Sequence, residues 1–349
     1  MQLHKTETNL TVTNVQHQKG RLIMTVLDSL QRPDSAVLTL RTLTPLYTGG
    51  VGQHGDQIHP SGLLGSLRKF SGLLAAAVGD PDFEHAVWGT APNADDRHAK
   101  QITLRVDATG LKKTTLPYQI NWPRSDGVNR KGWFYNVAYE GVLSLTLTRR
   151  GISDAHWQLL SLALRIQLRH ATFGARDQWG LGVLTSDELP AVSPLLSSQA
   201  APLADCPGLH RALFAEIQFD AALPQGMESR LKQGLIWREY LRGSFRNPGE
   251  DDLRHYLFGK LGQYGGALNL SALYPHGKGC ALRVWGVLPH TTPPRFAEQR
   301  QSILQRLQHA CHQGPSEGLA GARRLLWQDG AEHQQDFANW INQRAGVRA

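Results

Sequence analysis

The sequence predicts an α+β protein built from two similar units in tandem. The chain has 349 residues, which is long enough for two domains. Each half contains, in a loosely similar order, a strand pattern, a glycine-rich loop, a helix pattern and further strands. Between the halves, residues 190–208 are rich in Pro, Ser and Ala, which is typical of a linker. We therefore expect an N-terminal domain over 1–189, a linker over 190–208 and a C-terminal domain over 209–349.

The first half alternates strand and helix patterns. Residues 36–47 alternate apolar and polar side chains, which predicts a strand. A helix is expected to begin at Pro60 and Ser61, with Ser61 as its N-cap, because apolar residues then recur at helical spacing. The other elements predicted in this half are strands 101–109 and 142–148, helix 155–170 and a strand after the second glycine loop.

The second half begins with a strand pattern over 213–222, followed by a helix pattern over 228–242. A glycine-rich stretch, 258–266, leads to a second strand pattern over 280–289. Helices over 296–312 and 331–344 are predicted to close the chain.

The charge balance favours a polyanionic partner. The formal net charge is +8, and 27 of the 37 basic residues are arginine, the better bidentate ligand for phosphate. Three scattered cysteines (Cys206, Cys280 and Cys311) predict neither a disulfide framework nor a zinc site. The sequence has no signal peptide and no apolar run of membrane-span length, so we expect a cytoplasmic protein without a membrane partner.

Familiar catalytic patterns are missing from the sequence. Gly50 to Gly55 match the string GxGxxG, but no helix pattern opens there and no acidic residue ends a following strand, so we reject a dinucleotide site. HExxH does not occur, and Gly277–Gly279 are not part of a P-loop. We therefore expect no catalytic residue, no metal and no cofactor.

Two glycine-rich segments are the strongest candidates for binding. The first is Leu43–Gly50, followed by Ile58–Arg68, and the second is Phe173–Val183. Glycines let a backbone approach a ligand closely, and basic and aromatic neighbours suit phosphates and bases. The candidate RNA-binding residues of these segments are Tyr47, Thr48, Gly49, Gly50, His54, His59, Ser61, Arg68, Lys69, Arg176, Trp179 and Gly180.

Two further groups combine charge with aromatic or helical patterns. Lys131 and Trp133 lie in a basic stretch that continues into aromatic residues, which is how single-stranded RNA is often bound, although Trp133 fits a strand core equally well. Arg238 and Arg242 share one helix face, where neighbouring glutamates offer salt bridges as the alternative to RNA. For Arg68 and Lys69 the alternative is a solvated helix face.

The two glycine segments resemble the RAMP superfamily of RNA-binding proteins. LTPLYTGG with IHPSGLLGSLRKF is similar to the opening of the two-domain RAMP subunit of type III-B CRISPR (Cmr) effector complexes, and FGARDQWGLGVL is similar to its glycine-rich loop. The match is weaker after residue 210. The chain departs from the family pattern at His59, Gly62, Ser66, Phe173 and Trp179.

This resemblance implies two ferredoxin-like (RRM-like) RAMP domains in tandem. It also implies a non-catalytic subunit that binds the 3′ region of the guide RNA and the guide–target duplex in antiviral defence. The implied partners are the CRISPR guide RNA, the complementary target RNA and other RAMP subunits. One alternative is a RAMP endoribonuclease that processes repeat RNA, with His54 or His59 near Tyr47 as the acid–base pair. Another is a structural adaptor without RNA affinity.

Overall fold

The structure is a computed structural model of the whole chain, in which two antiparallel sheets carry helices. The residues it describes are 35–49, 57–89, 99–116, 119–123, 129–133, 137–175, 180–196, 202–203, 206–246, 249, 251–259, 265–288, 294–317, 319 and 323–347. The α+β prediction is confirmed.

The first sheet is formed by strands of the first half. Its strands are β1 (Ser35–Thr42), β2 (Ile102–Asp107), β3 (Leu111–Thr115), β6 (Val137–Arg149) and β7 (Leu184–Thr185). The order across the sheet is β2-β6-β1-β7, with β3 also paired to β6. A separate hairpin joins β4 (Gln119–Pro123) to β5 (Asn129–Trp133). All these pairings are antiparallel.

Helices α1 (Pro60–Val78), α2 (Phe83–Trp88) and α3 (Asp154–His170) belong to the first half. α1 buries an apolar stripe that includes Leu63, Leu67 and Phe70. Proline is favourable in the first turn because its missing N–H has no partner there anyway. The helix is preceded by His59, so the prediction that Ser61 is the N-cap is wrong, and Ser61 lies inside the first turn.

The second half repeats this arrangement around its own sheet. Its strands are β8 (Ala212–Phe219), β9 (Leu268–Leu270), β10 (Tyr274–His276), β11 (Gly279–Val287) and β12 (Arg323–Asp329). The order across the sheet is β10-β11-β8-β12, with β9 also paired to β11. The helices are α4 (Met227–Gly243), α5 (Asp251–Phe258), α6 (Pro294–Glu298), α7 (Arg300–Gln313) and α8 (Phe337–Ala345).

Several element boundaries differ from the sequence prediction. The strand expected over 36–47 ends at Thr42, and Leu46 then forms an isolated bridge with Tyr139. The helix expected over 296–312 is two helices, and the one expected over 331–344 begins with a 3-10 turn, Gly330–Asp336. β12 was not predicted.

One hydrophobic cluster spans the two halves, and the second half has a further cluster of its own. Phe214, Trp285 and Trp340 of the second half pack in the same cluster as Phe70 and Leu160 of the first. The C-terminal helix α8 lies against α3, where Arg165 donates to the carbonyl oxygen of Ala345. The described part of the expected linker is held to both halves, since Leu195 bonds to Asn342 and Leu203 N–H donates to Ala76.

Candidate nucleic-acid interface

The two glycine segments lie side by side in the first half. The Tyr47 carbonyl oxygen accepts from the N–H of Ala175 at 2.7 Å, and the Pro45 oxygen accepts from the N–H of Gly182 at 2.9 Å. Leu43 N–H donates to the oxygen of Val183 at 2.8 Å. The fold therefore joins the two segments, about 130 residues apart, through backbone hydrogen bonds.

The start of α1 is fixed against the first of these segments. The N–H of His59 donates to Thr48 Oγ1 at 2.7 Å. A Cβ on Gly62 would lie 2.1 Å from the Thr48 carbonyl oxygen, so only glycine fits this approach. This explains why glycine stands where the family resemblance leads one to expect serine.

Three of the predicted binding residues lie inside the protein instead of on its surface. Tyr47 is 3% exposed and packs with Leu235 and Ala272 in a cluster between the halves. Thr48 is buried as well. The Gly180 carbonyl oxygen accepts from the N–H of Ala272 at 2.9 Å, so the close approach that this glycine permits is to the second half of the same chain. In this structure their contacts are with other parts of the protein.

Other predicted residues are on the surface near α1. Gly49 has a positive φ of 88°, and a Cβ there would meet open space. Ser61 is exposed in the first turn. Arg68 Nε pairs with Glu84 Oε1 at 2.5 Å, and both side chains are about half exposed. Such a pair contributes little stability, so Glu84 mainly offsets the charge of Arg68.

Lys69 borders a cleft between the halves. Its Nζ lies 5.9 Å from the ring centroid of Trp285 in β11, within the range of a cation–π contact. The cleft has a volume of about 410 Å³. Its lining residues are Lys69, Leu73, Tyr256, Gly265, Gly266, Ala267, Asn269, Trp285 and Val287. We call it the Lys69 cleft.

The Lys69 cleft combines one exposed cation with the half-buried Tyr256 ring, whereas Trp285 and Asn269, which also line it, are buried. Burial raises the pKa of Tyr256, so its phenol remains protonated at neutral pH. The Trp285 ring is held by its Nε1, which donates to Thr172 Oγ1 at 2.9 Å. A side wall of glycine and alanine leaves room beside these rings. This combination suits a nucleobase with a neighbouring phosphate.

The α4 arginines are used within the protein. Arg238 Nη2 donates to the carbonyl oxygen of Phe258 at 2.5 Å, and burial lowers the pKa of this arginine. Arg242 Nη1 lies 3.7 Å from Glu239 Oε1. These contacts favour the salt-bridge alternative for this helix face.

The remaining predicted residues are not placed in detail. Gly50, His54, Arg176 and Trp179 lie outside the described residues. Lys131 and Trp133 lie on β5, of which only the backbone is described.

Trp285, Asn269 and Tyr256 were not among the sequence candidates. All three are in the second half and reach the Lys69 cleft only through the packing of the two halves. The one available signal was the predicted strand itself, because its two-residue period puts Arg283, Trp285 and Val287 on a common face.

Within the described ranges, no group of three His, Cys, Asp or Glu side chains is arranged to hold a metal ion. None of the helices in those ranges combines the length and apolar character that a membrane span needs.

Comparison with known proteins gives structural neighbours only. No protein-family model and no curated protein matches the chain. Cmr1 from Pyrococcus furiosus in its apo form is 13% identical, with a TM-score of 0.43, over 74% of this chain and 88% of that chain. A chain of the type III-B Cmr-beta complex bound to cognate target RNA is 9% identical, also with a TM-score of 0.43, over 79% and 99%.

Cmr6 from Pyrococcus furiosus is a more distant neighbour. It is 13% identical, with a TM-score of 0.21, over 44% of this chain and 97% of that chain. The structural neighbours are thus Cmr proteins, the group that the two glycine segments resemble.

Proposed function

We propose that this chain is a non-catalytic RNA-binding subunit of a type III-B CRISPR effector complex, which contacts the guide RNA 3′ region and the guide–target duplex. The proposal rests on the backbone hydrogen bonds that join the two glycine segments to each other near the start of α1. Sequences that resemble RAMP loops are bonded to each other there, and the exposed side of α1 leads from Gly49 and Ser61 to Lys69.

We also propose that each half is a ferredoxin-like domain. In the first half, β1, β2, β6 and β7 combine with helices α1 and α3 in the chain order strand, helix, strand, strand, helix, strand. Taken in chain order as one to four, they stand in the sheet as two, three, one, four. In the second half β8, β10, β11 and β12 stand in the same order. A shared order supports two copies of one unit.

In this proposal the Lys69 cleft receives part of an RNA strand. The Lys69 ammonium group neutralises a backbone phosphate, and the half-buried ring of Tyr256 contacts a base. Such contacts are indifferent to base identity, because every base has an apolar face and every nucleotide a phosphate. The subunit then holds a guide strand whose sequence is read by base pairing, as in other RNA-guided effectors.

The non-catalytic part of the proposal rests on the position of Tyr47. The endoribonuclease alternative assigns proton transfer to Tyr47 with His54 or His59. Tyr47 is 3% exposed in an apolar cluster, away from any RNA on the surface. A proton donor must reach the RNA within hydrogen-bond distance. The burial of Tyr47 therefore supports a binding role over cleavage.

The test is RNA affinity measured by filter binding across a salt series. Lys69→Ala is expected to weaken binding several-fold and to lower the slope of log K against log salt by about one, the signature of one lost phosphate contact. Lys278→Ala is the matched control, because Lys278 is exposed in the turn before β11, about 20 Å along that strand from Trp285.

Three results would contradict the proposal. Equal losses of RNA affinity in Lys69→Ala and Lys278→Ala would show that binding depends on the net charge of the protein and not on the Lys69 cleft. Salt-independent or absent binding by the wild-type chain would favour the structural adaptor. Cleavage of a repeat RNA without metal, lost in Tyr47→Phe or His59→Ala, would establish the endoribonuclease instead.

A further inference from the structure

A second, smaller cavity lies between the two halves. It is bounded by the carboxyl end of α3, by α8 and by the face of the second sheet, and its volume is about 110 Å³. Its polar lining residues are Arg169, His170, Glu216, Arg283, Gln328 and Arg344. We call it the arginine cavity.

Two of its guanidinium groups lack an anionic partner. In the described part of the chain, Arg169 is exposed and makes no hydrogen bond or ion pair. The Nε of Arg344 is buried without an acceptor. Burial, and next to it the charge of Arg169, lower the pKa of Arg344. The fold thus holds two cations together at an energetic cost.

Arg283 and Glu216, which also line the arginine cavity, are already engaged. Arg283 donates through Nη1 to the carbonyl oxygens of Leu168 and Ala171, at 3.0 and 3.1 Å. Glu216 accepts from the Tyr274 hydroxyl at 2.6 Å and lies 3.9 Å from Arg283 Nε.

His170 adds no charge to the cavity. Its Nε2 lies 3.2 Å from the carbonyl oxygen of Arg344 and donates to it in the neutral ring. Burial, followed by the charges of Arg283 and Arg344, lowers the pKa of His170 to about 3. At neutral pH the uncompensated charge in the cavity therefore comes from Arg169 and Arg344, while Glu216 balances Arg283.

We propose that the arginine cavity binds a single phosphate group, with Arg169 and Arg344 as its direct ligands and the Gln328 amide as a further donor. Planar guanidinium groups bind phosphate through paired, charge-assisted hydrogen bonds. The volume admits one phosphate group and excludes a whole nucleotide, since sites for drug-sized ligands measure roughly 300–1,000 Å³. The inference holds whether or not the Lys69 cleft binds RNA.

Thermal melting of the full chain in chloride buffer at constant ionic strength tests the proposal. Inorganic phosphate is expected to raise the Tm of the wild type in a saturable manner. Arg169→Gln is expected to lose about tenfold or more in phosphate affinity, as one charge-assisted contact is removed. Without phosphate, Arg169→Gln should melt at the same temperature as the wild type or higher, because its repulsion of Arg344 is gone.

Arg150→Gln is the matched control. Arg150 is also exposed, but it lies just before the amino end of α3, and this helix of 17 residues is about 25 Å long. This variant should bind phosphate like the wild type. A phosphate effect on the wild type that is equal in Arg169→Gln and Arg150→Gln would overturn the proposal.

A second arm distinguishes the sources of the phosphate. Two oligoribonucleotides of one sequence are compared, one with a terminal phosphate and one without. Tighter binding of the phosphorylated strand that is lost in Arg169→Gln would assign the site to an RNA end. A response to inorganic phosphate alone would assign it to the free anion. No response to either probe would refute the site.

Discussion

Gly180 is expected to be required for stability because of its contact with the second half. Its φ is +93°, a region that side chains disfavour. A Cβ at this position would lie 2.7 Å from the backbone nitrogen of Ala272, whose N–H donates to the Gly180 oxygen. Gly180→Ala therefore combines backbone strain with a collision at the junction of the halves.

The magnitude follows from adding these effects. Strain of an alanine in the left-handed region costs about 1–2 kcal/mol. The contact at 2.7 Å forces the Ala272 backbone to move, which weakens a hydrogen bond with a net value of about 1 kcal/mol and adds an overpacking cost of about 1 kcal/mol or more. We expect the free energy of unfolding to fall by about 3 kcal/mol or more.

Gly49→Ala measures the backbone strain without the collision. Gly49 has a similar φ, +88°, but its Cβ would have no atom within 4 Å. This variant should lose only about 1–2 kcal/mol. Urea denaturation of both variants gives the difference between them, which measures the collision with Ala272, provided that the m-value is unchanged. Equal losses in the two variants would refute the inferred contact between Gly180 and the second half.

Two further predictions concern buried charge. In the unfolded chain His170 has its ordinary pKa of 6.5, whereas burial and the charges of Arg283 and Arg344 keep its pKa in the folded chain at about 3. The unfolded state therefore binds a proton more readily as the pH falls below 6.5. The free energy of unfolding is thus highest above pH 6.5 and decreases at lower pH. The loss between pH 7 and pH 5 should be about 2 kcal/mol in urea denaturation and should shrink in His170→Gln; an identical pH profile in that variant would contradict the assignment. In the wild type the buried Arg300 pairs with Asp329 at 2.9 and 2.5 Å. Asp329→Asn removes this counter-charge and should lower the free energy of unfolding by about 3–5 kcal/mol. The denaturation midpoint measures this loss, which the double variant with Arg300→Met should partly restore; no loss in Asp329→Asn would show that the pair does not form.

The sequence was sufficient for elements with long, regular patterns. The apolar stripe of α1 and the apolar strand patterns of β8 and β11 could each be recognised from the local sequence alone. The predicted ends of helices and strands were wrong where a contact with a distant residue determines the end. β1 ends at Thr42 because the chain then turns to meet Val183 and Tyr139, and no local pattern announces this.

The candidate site was predictable only in part, for a related reason. Glycine patterns located both segments, but a glycine that approaches a ligand and one that approaches another part of the chain look the same in sequence. Gly62 and Gly180 are of the second kind. Tyr47 was similarly ambiguous, since an aromatic residue beside a glycine loop can stack on a base or fill a core, and here it fills the core.

The sheet face of the second half explains why both recesses lie where they do. Arg283, Trp285 and Val287 alternate along β11 and share this face, which the first half covers at its centre. The carboxyl end of α3 sits there, because residues 168 and 171 accept from Arg283 and residue 172 accepts from Trp285. The covering helix end divides the face into the arginine cavity on one side and the Lys69 cleft on the other. Since one strand supplies an anchor to each recess, their spacing is determined by the register of β11 and by the fit of α3 upon it.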